Sequence, residues 1–77
     1  MKDLLMFLIK NIIGSDDFEV SEKVDGNHIN LDVVAKPDVI GLIIGREGKT
    51  IKSLRKILSV RAVREDKTVS INVTENA

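Results

Sequence analysis

Three of the chain's five glycines fall within thirteen residues, Val39 to Ile51. The stretch reads Val39, Ile40, Gly41, Leu42, Ile43, Ile44, Gly45, Arg46, Glu47, Gly48, Lys49, Thr50, Ile51. Without the glycines it would pass for one buried helix. Gly45 and Gly48 bracket two charged residues, and a basic amphipathic segment follows at once. Glycine accepts positive φ and lets another backbone approach closely, because it has no Cβ. A tight Gly-x-x-Gly turn between two short helices turns backbone N–H groups outward at a helix start. There they meet phosphate oxygens in the positive end of the helix dipole. Two other glycine motifs fail on spacing. A P-loop ending in Gly48, Lys49 and Thr50 needs a glycine at position 43, and the dinucleotide fingerprint ending at Gly48 needs one at the same place. That position is Ile43.

Charge decides what such a turn faces. The formal net charge is zero, yet residues 36–64 carry eight cations (Lys36, Arg46, Lys49, Lys52, Arg55, Lys56, Arg61, Arg64) against Asp38 and Glu47, a local balance of +6. The other residues carry four positive and ten negative side chains, a balance of −6. A basic patch on a neutral protein attracts phosphate locally and with orientation.

Seventy-seven residues make one domain, 1–77 with a core of about 3–74, close to the smallest size that folds without staples. The chain has no cysteine, so disulfides and thiolate metal sites are excluded. His28 is the only histidine, without an obvious partner ligand, and reads as a strand or turn residue rather than a metal ligand. No paired catalytic constellation appears, so an enzyme is not expected, and neither a cofactor nor a metal is. The apolar stretch Leu4–Ile13 is about half the ~20 residues of a membrane-spanning helix. No small-residue cleavage site follows it, and the expectation is a cytoplasmic protein.

From the start of the chain, Asp3–Ile13 reads as a helix stopped by Gly14, apolar over most of its circumference. Its simplest placement is against a sheet, with contact to a second chain as the other possibility. Phe18, Val20 and Val24 alternate with Glu19, Ser21 and Lys23 as a half-buried strand. Glu22 interrupts its apolar side and marks it as short or at an edge. Asp25, Gly26 and Asn27 form a turn, and Ile29, Leu31 and Val33 continue the alternation, which closes a β-hairpin. Pro37 suits the first turn of a short helix that ends near Gly45. The next helix begins near Lys49, with Ile51, Leu54, Leu58 and Ala62 inside an arc of roughly 80°. The pattern carries it to about Arg64, although Ser59–Arg64 also reads as extended. Val69, Ile71 and Val73 mark a last strand.

The segment Ile40 to Ile51 resembles the KH signature, in which an apolar–Gly pair precedes Ile-Gly-x-x-Gly-x-x-Ile. The element order α-β-β-α-α-β matches the type II KH arrangement, and the likeness spans residues 3–74. A single free-standing KH domain with an apolar first helix is similar to the small bacterial KhpA-like RNA-binding proteins. The resemblance implies an α+β fold, a three-stranded mixed sheet with three helices packed on one face. It implies an RNA clamp at Gly45, Arg46, Glu47 and Gly48, which holds a single strand. Ile40, Gly41, Ile43 and Ile44 would line or support an aliphatic groove, and Lys49, Thr50 and Lys52 would complete the site. Phe7 and Phe18, the only aromatics, are expected in the core, so no stacking platform is available. Glu47 places a carboxylate by the phosphate path and argues for weak affinity.

By the same resemblance the chain would act as a global, chaperone-like post-transcriptional regulator. It would pair with itself or with a larger KH-containing protein. A protein-interaction module is the competing function. Ile57 and Val60 lie off the core stripe of their helix and point to a homodimer interface centred near Ile57.

Overall fold

The computed structural model describes residues 1–76. The elements follow in the order α1 (Lys2–Ile13), β1 (Phe18–Asp25), β2 (His28–Ala35), α2 (Pro37–Ile44), a single 3₁₀ turn (Arg46–Gly48), α3 (Lys49–Arg64) and β3 (Thr68–Glu75). The sheet order is β1-β2-β3, with β1 antiparallel and β3 parallel to β2. Antiparallel neighbours need only a tight turn, whereas the parallel return to β3 uses α2 and α3 as its crossover. Gly26, at the first position of the two-residue hairpin loop, takes φ +59°, as a type II′ turn requires.

β2 is the central strand, and its residues alternate between buried and half-buried without a break. Ile29, Leu31, Val33 and Ala35 face the helices together with Val20 and Ile71 from the outer strands. Leu5 and Ile9 of α1, Ile40 and Ile43 of α2, and Ile51, Leu54 and Leu58 of α3 close the same core from above. The helices therefore share one face of the sheet. The opposite face is polar, and its side chains bond one another across the strands. Ser70 Oγ donates to Asn30 Oδ1 (2.7 Å), and Thr74 Oγ1 donates to Asp32 Oδ1 (3.1 Å).

His28 belongs to this ladder. Its Nε2 lies 3.0 Å from Ser70 Oγ and its Nδ1 2.6 Å from Thr68 Oγ1. Because Ser70 spends its proton on Asn30, Nε2–H is the donor and Nδ1 accepts from Thr68. Both ring nitrogens are satisfied by hydroxyls, and no group of three or more metal-ligating side chains occurs among the described residues.

Two expectations need correction, and a third resolves to one of its alternatives. Phe7 is 64% exposed on the outer side of α1, not in the core, because the inward arc of that helix is filled by Leu5 and Ile9. Val24 is 55% exposed at the hairpin end of β1, beyond the cover of α1. β1 is an edge strand as Glu22 suggested, but it runs eight residues and is not short. Glu22 sits on the helix side of that edge for a reason: its Oε2 accepts the N–H of Lys2 (3.2 Å) at the start of α1 and lies 3.8 Å from the Met1 amino group. An acidic group is favoured there by the helix dipole and by the unpaired N–H groups of the first turn. The open question at Ser59–Arg64 resolves as helix, since α3 continues unbroken to Arg64.

Candidate functional site

α2, the glycine turn and α3 meet at one end of the core. Pro37 opens α2 where its missing N–H leaves nothing unpaired, and Asp38 complements the dipole of the first turn. α2 is held by its buried Ile40 and Ile43. It stops where Gly45 N–H donates to Gly41 O (3.0 Å) and the chain leaves the helix with φ +77°, ψ 175°. Gly48 N–H then donates to Gly45 O (3.2 Å), which closes the turn from which α3 departs.

The two glycines differ in what they require. A Cβ on Gly45 would overlap Thr50 Oγ1 and lie 2.7 Å from Thr50 Cβ and 3.0 Å from Thr50 N. Thr50 packs so closely on this backbone that only glycine fits. At Gly48 the nearest atom to an added Cβ is Ile51 Cγ2 at 4.0 Å, so the constraint there is the left-handed φ of +73° alone. Between them Glu47 also adopts the left-handed region, φ 56° and ψ 24°. For a non-glycine residue this costs about 1 kcal/mol.

The candidate residues separate into layers. Arg46 and Glu47 are exposed on the turn, Lys49 and Lys52 are exposed on the first turns of α3, and Thr50 is half-buried behind Gly45. Ile40 and Ile43 are 5% and 0% exposed, so they support the site from the core and present no surface to a ligand. Gly41 and Ile44 share an open flank of α2, about 60° apart at 100° per residue, and Ile44 is 36% exposed. Leu42, 57% exposed on another flank, was not singled out by the sequence pattern. Its position between the buried Ile40 and Ile43 was the available signal.

Beyond Lys52, the exposed Arg55 and Lys56 extend the basic surface along α3. Among the described residues the ion pairs are Met1–Glu22, Lys10–Asp16 and Arg61–Glu65. None of Arg46, Lys49, Lys52, Arg55 or Lys56 takes part in them, and Glu47 is likewise absent. Among the described residues, no carboxylate is paired with the cations next to the turn.

An Ile-Gly-x-x-Gly turn joining two helices over a β1-β2-β3 mixed sheet is the geometry of a KH domain of type II. The family model described as "KhpA/KhpB, KH domain" matches residues 2–73. The chain belongs to the KhpA/KhpB KH-domain family. It is 41% identical over 78 residues to the RNA-binding protein KhpA of Chlamydia caviae, with 99% of both chains covered. It is 40% identical over 77 residues to the protein of that name from Chlamydia pneumoniae, with 97% of each covered. The likeness to the KhpA of Clostridium acetobutylicum is 31% over 74 residues, covering 95% of this chain and 99% of the relative. The α-β-β-α-α-β order and the three helices on one sheet face are thus the architecture of a KhpA/KhpB domain.

Ile57 and Val60 occupy a different side of α3, 44% and 55% exposed. With Leu4 of α1 and the basic Arg61 and Arg64 they line a shallow hollow of about 290 Å³. No helix of the described residues is long and apolar enough to cross a membrane.

Proposed function

We propose that the chain binds single-stranded RNA at the turn between α2 and α3. The observation that carries this reading is the pairing of a glycine turn whose tip, Arg46 and Glu47, is exposed with five exposed cations that form no ion pair among the described residues. In this reading the turn of Gly45, Arg46, Glu47 and Gly48 clamps a phosphate at the start of α3, with the N–H groups of Gly45 and Gly48 themselves spent on Gly41 O and Gly45 O. Lys49 and Lys52 flank the strand, and Thr50 sets the shape of the clamp by packing on Gly45. Bases rest on the aliphatic flank of Gly41 and Ile44, which Ile40 and Ile43 support from beneath. Stacking is not the source of affinity: Phe18 is half-buried, and Phe7, though exposed, lies on α1 away from the turn. With one carboxylate beside the phosphate path the contact is weak, and tight binding needs a second domain.

The names of the KhpA relatives agree with RNA as the ligand. A cytoplasmic, chaperone-like post-transcriptional role fits a small binder without sequence-reading aromatics. The Leu4, Ile57 and Val60 surface, with Phe7 beyond it, serves in this account to dock a second KH chain, either another copy or a larger KH-containing protein.

Salt separates RNA binding from a purely protein-binding role. Affinity for a short single-stranded RNA should fall linearly on a log–log plot, with a slope of about −0.7 for each phosphate contact. Affinity that is flat across the salt range would place the function in the apolar surface instead.

A further inference from the structure

β1 is the outer strand beneath α1, and no other strand among the described residues pairs with its far side. Asn27 O accepts the N–H of Thr68 (2.9 Å) and Ala35 O that of Asn76 (2.8 Å). The odd-numbered residues of β2 therefore turn their backbone groups to β3, and the even-numbered ones turn theirs to β1. The register sets Asn30, Asp32 and Val34 opposite Lys23, Ser21 and Glu19. Those residues of β1 are spent on β2, so Val20, Glu22 and Val24 direct N–H and C=O to the open edge. Phe18 shares that direction, but its N–H already donates to Asp16 O (2.7 Å).

Charge selects what can pair there. Residues 16–25 hold Asp16, Asp17, Glu19, Glu22 and Asp25 against Lys23 alone. Lys10 engages Asp16 at 3.3 Å, and Glu22 serves the start of α1. Glu19 and Asp25 form no ion pair among the described residues. Charges on an edge discourage pairing with strands of like sign, and an edge of one sign stays open to strands of the other. RNA is repelled by this edge, and a second copy would bring the same negative excess to it. We propose that β1 takes an extended segment of a partner protein as a fourth strand of the sheet. The segment that fits has two aliphatic residues four positions apart and a lysine or arginine just outside each.

Each part of that pattern has a counterpart on the protein. Main-chain bonds to Val20, Glu22 and Val24 hold an added strand, and its alternate side chains decide which strand is accepted. An aliphatic residue opposite Val20 meets a hollow of about 330 Å³ whose apolar wall is Met6, Phe18 and Val20. The second, four positions on, covers Val24, which is 55% exposed. The residues just outside these two lie opposite Glu19 and Asp25, on the other face of the sheet, where a cation meets each carboxylate. Small polar residues suit the positions opposite Ser21, Glu22 and Lys23. The pattern reads the same in both directions, so a parallel or an antiparallel strand satisfies it. The Gly45–Gly48 turn belongs to the crossover between β2 and β3 and is no part of this edge.

The probe is the labelled peptide Lys-Val-Thr-Thr-Thr-Val-Lys with blocked ends, read by anisotropy and by amide exchange of the full chain. Its addition should protect the amides of Val20, Glu22 and Val24 and leave those of Ser21 and Lys23 as they were. The double variant Glu19→Lys with Asp25→Lys should bind it about tenfold more weakly, and should instead take the peptide with glutamate at both ends. Val24→Pro removes an outward N–H without touching the β1–β2 ladder and should also weaken binding, with the fold checked by thermal melting. No binding by the wild-type chain at about 1 mM peptide overturns the proposal. So does binding indifferent to charge reversal on either side, or protection confined to the α1–α3 surface. Edge amides that gain protection from protein concentration alone would assign β1 to a second copy and equally overturn it. RNA affinity is not the readout, so failure here leaves the clamp reading intact.

Discussion

Gly45 and Glu47 both take positive φ, Gly45 in the extended region open only to glycine (ψ 175°) and Glu47 in the left-handed region (ψ 24°), and substitution should tell them apart. Gly45→Ala adds a Cβ that collides with Thr50 at a positive φ, and neither term can relax alone. We expect a loss of about 2–4 kcal/mol of stability, read as a fall in the thermal midpoint. Glu47→Asn should act in the opposite direction. Asparagine tolerates φ near +56° better than glutamate, so stability should rise by about 0.5 kcal/mol. Removing the carboxylate from the phosphate path should tighten RNA binding at the same time. A variant with unchanged melting and weaker binding would show that Glu47 makes a favourable contact. Lys52 tests charge without strain: Lys52→Ala should weaken all RNA sequences about equally and shrink the salt slope by roughly 0.7. Altered base preference with an intact slope would give Lys52 a reading role instead.

At the scale of elements, the period of the apolar residues told strand from helix wherever one face is buried. β2 alternates without exception and α3 keeps Ile51, Leu54, Leu58 and Ala62 on one stripe, so both were legible. α1 was less so. Its apolar residues run nearly all the way round, and nothing in the pattern says which of them face the core; Phe7, expected in the core, lies outside. The reason for Glu22 was also hidden, because its partner is the N-terminus of a helix twenty residues away in the chain. Within the candidate site the glycine turn was plain, whereas the split of Ile40 and Ile43 from Gly41 and Ile44 depends on how α2 is rotated on the core. The docking surface proposed between α1 and α3 is tested at this scale. Ile57→Arg should leave the fold intact, since Ile57 is already 44% exposed, and should abolish association with a KH-containing partner in a pull-down or by sedimentation. Retained association would remove Ile57 from that contact.

Across the whole molecule, charge is divided where composition suggests none. The cations of residues 36–64 accompany α2, the turn and α3, while most carboxylates lie on the sheet, the hairpin and the connections. The polar ladder on the far face of the sheet ties β2 to β3 through His28, Asn30 and Ser70. A single domain thus separates its acidic and basic surfaces without any net charge, and attraction to a polyanion is strongest when the turn leads.

The most direct test makes that turn acidic. Arg46 and Glu47 are both exposed, so the double substitution Arg46→Asp with Glu47→Asp should preserve the fold, checked by circular dichroism and thermal melting. Two carboxylates would then face the phosphate oxygens at the start of α3. Anisotropy with a short labelled single-stranded RNA should show binding abolished for this variant. Wild-type affinity in a folded double variant would contradict the account, because the RNA would then be held somewhere other than the Gly45–Gly48 turn.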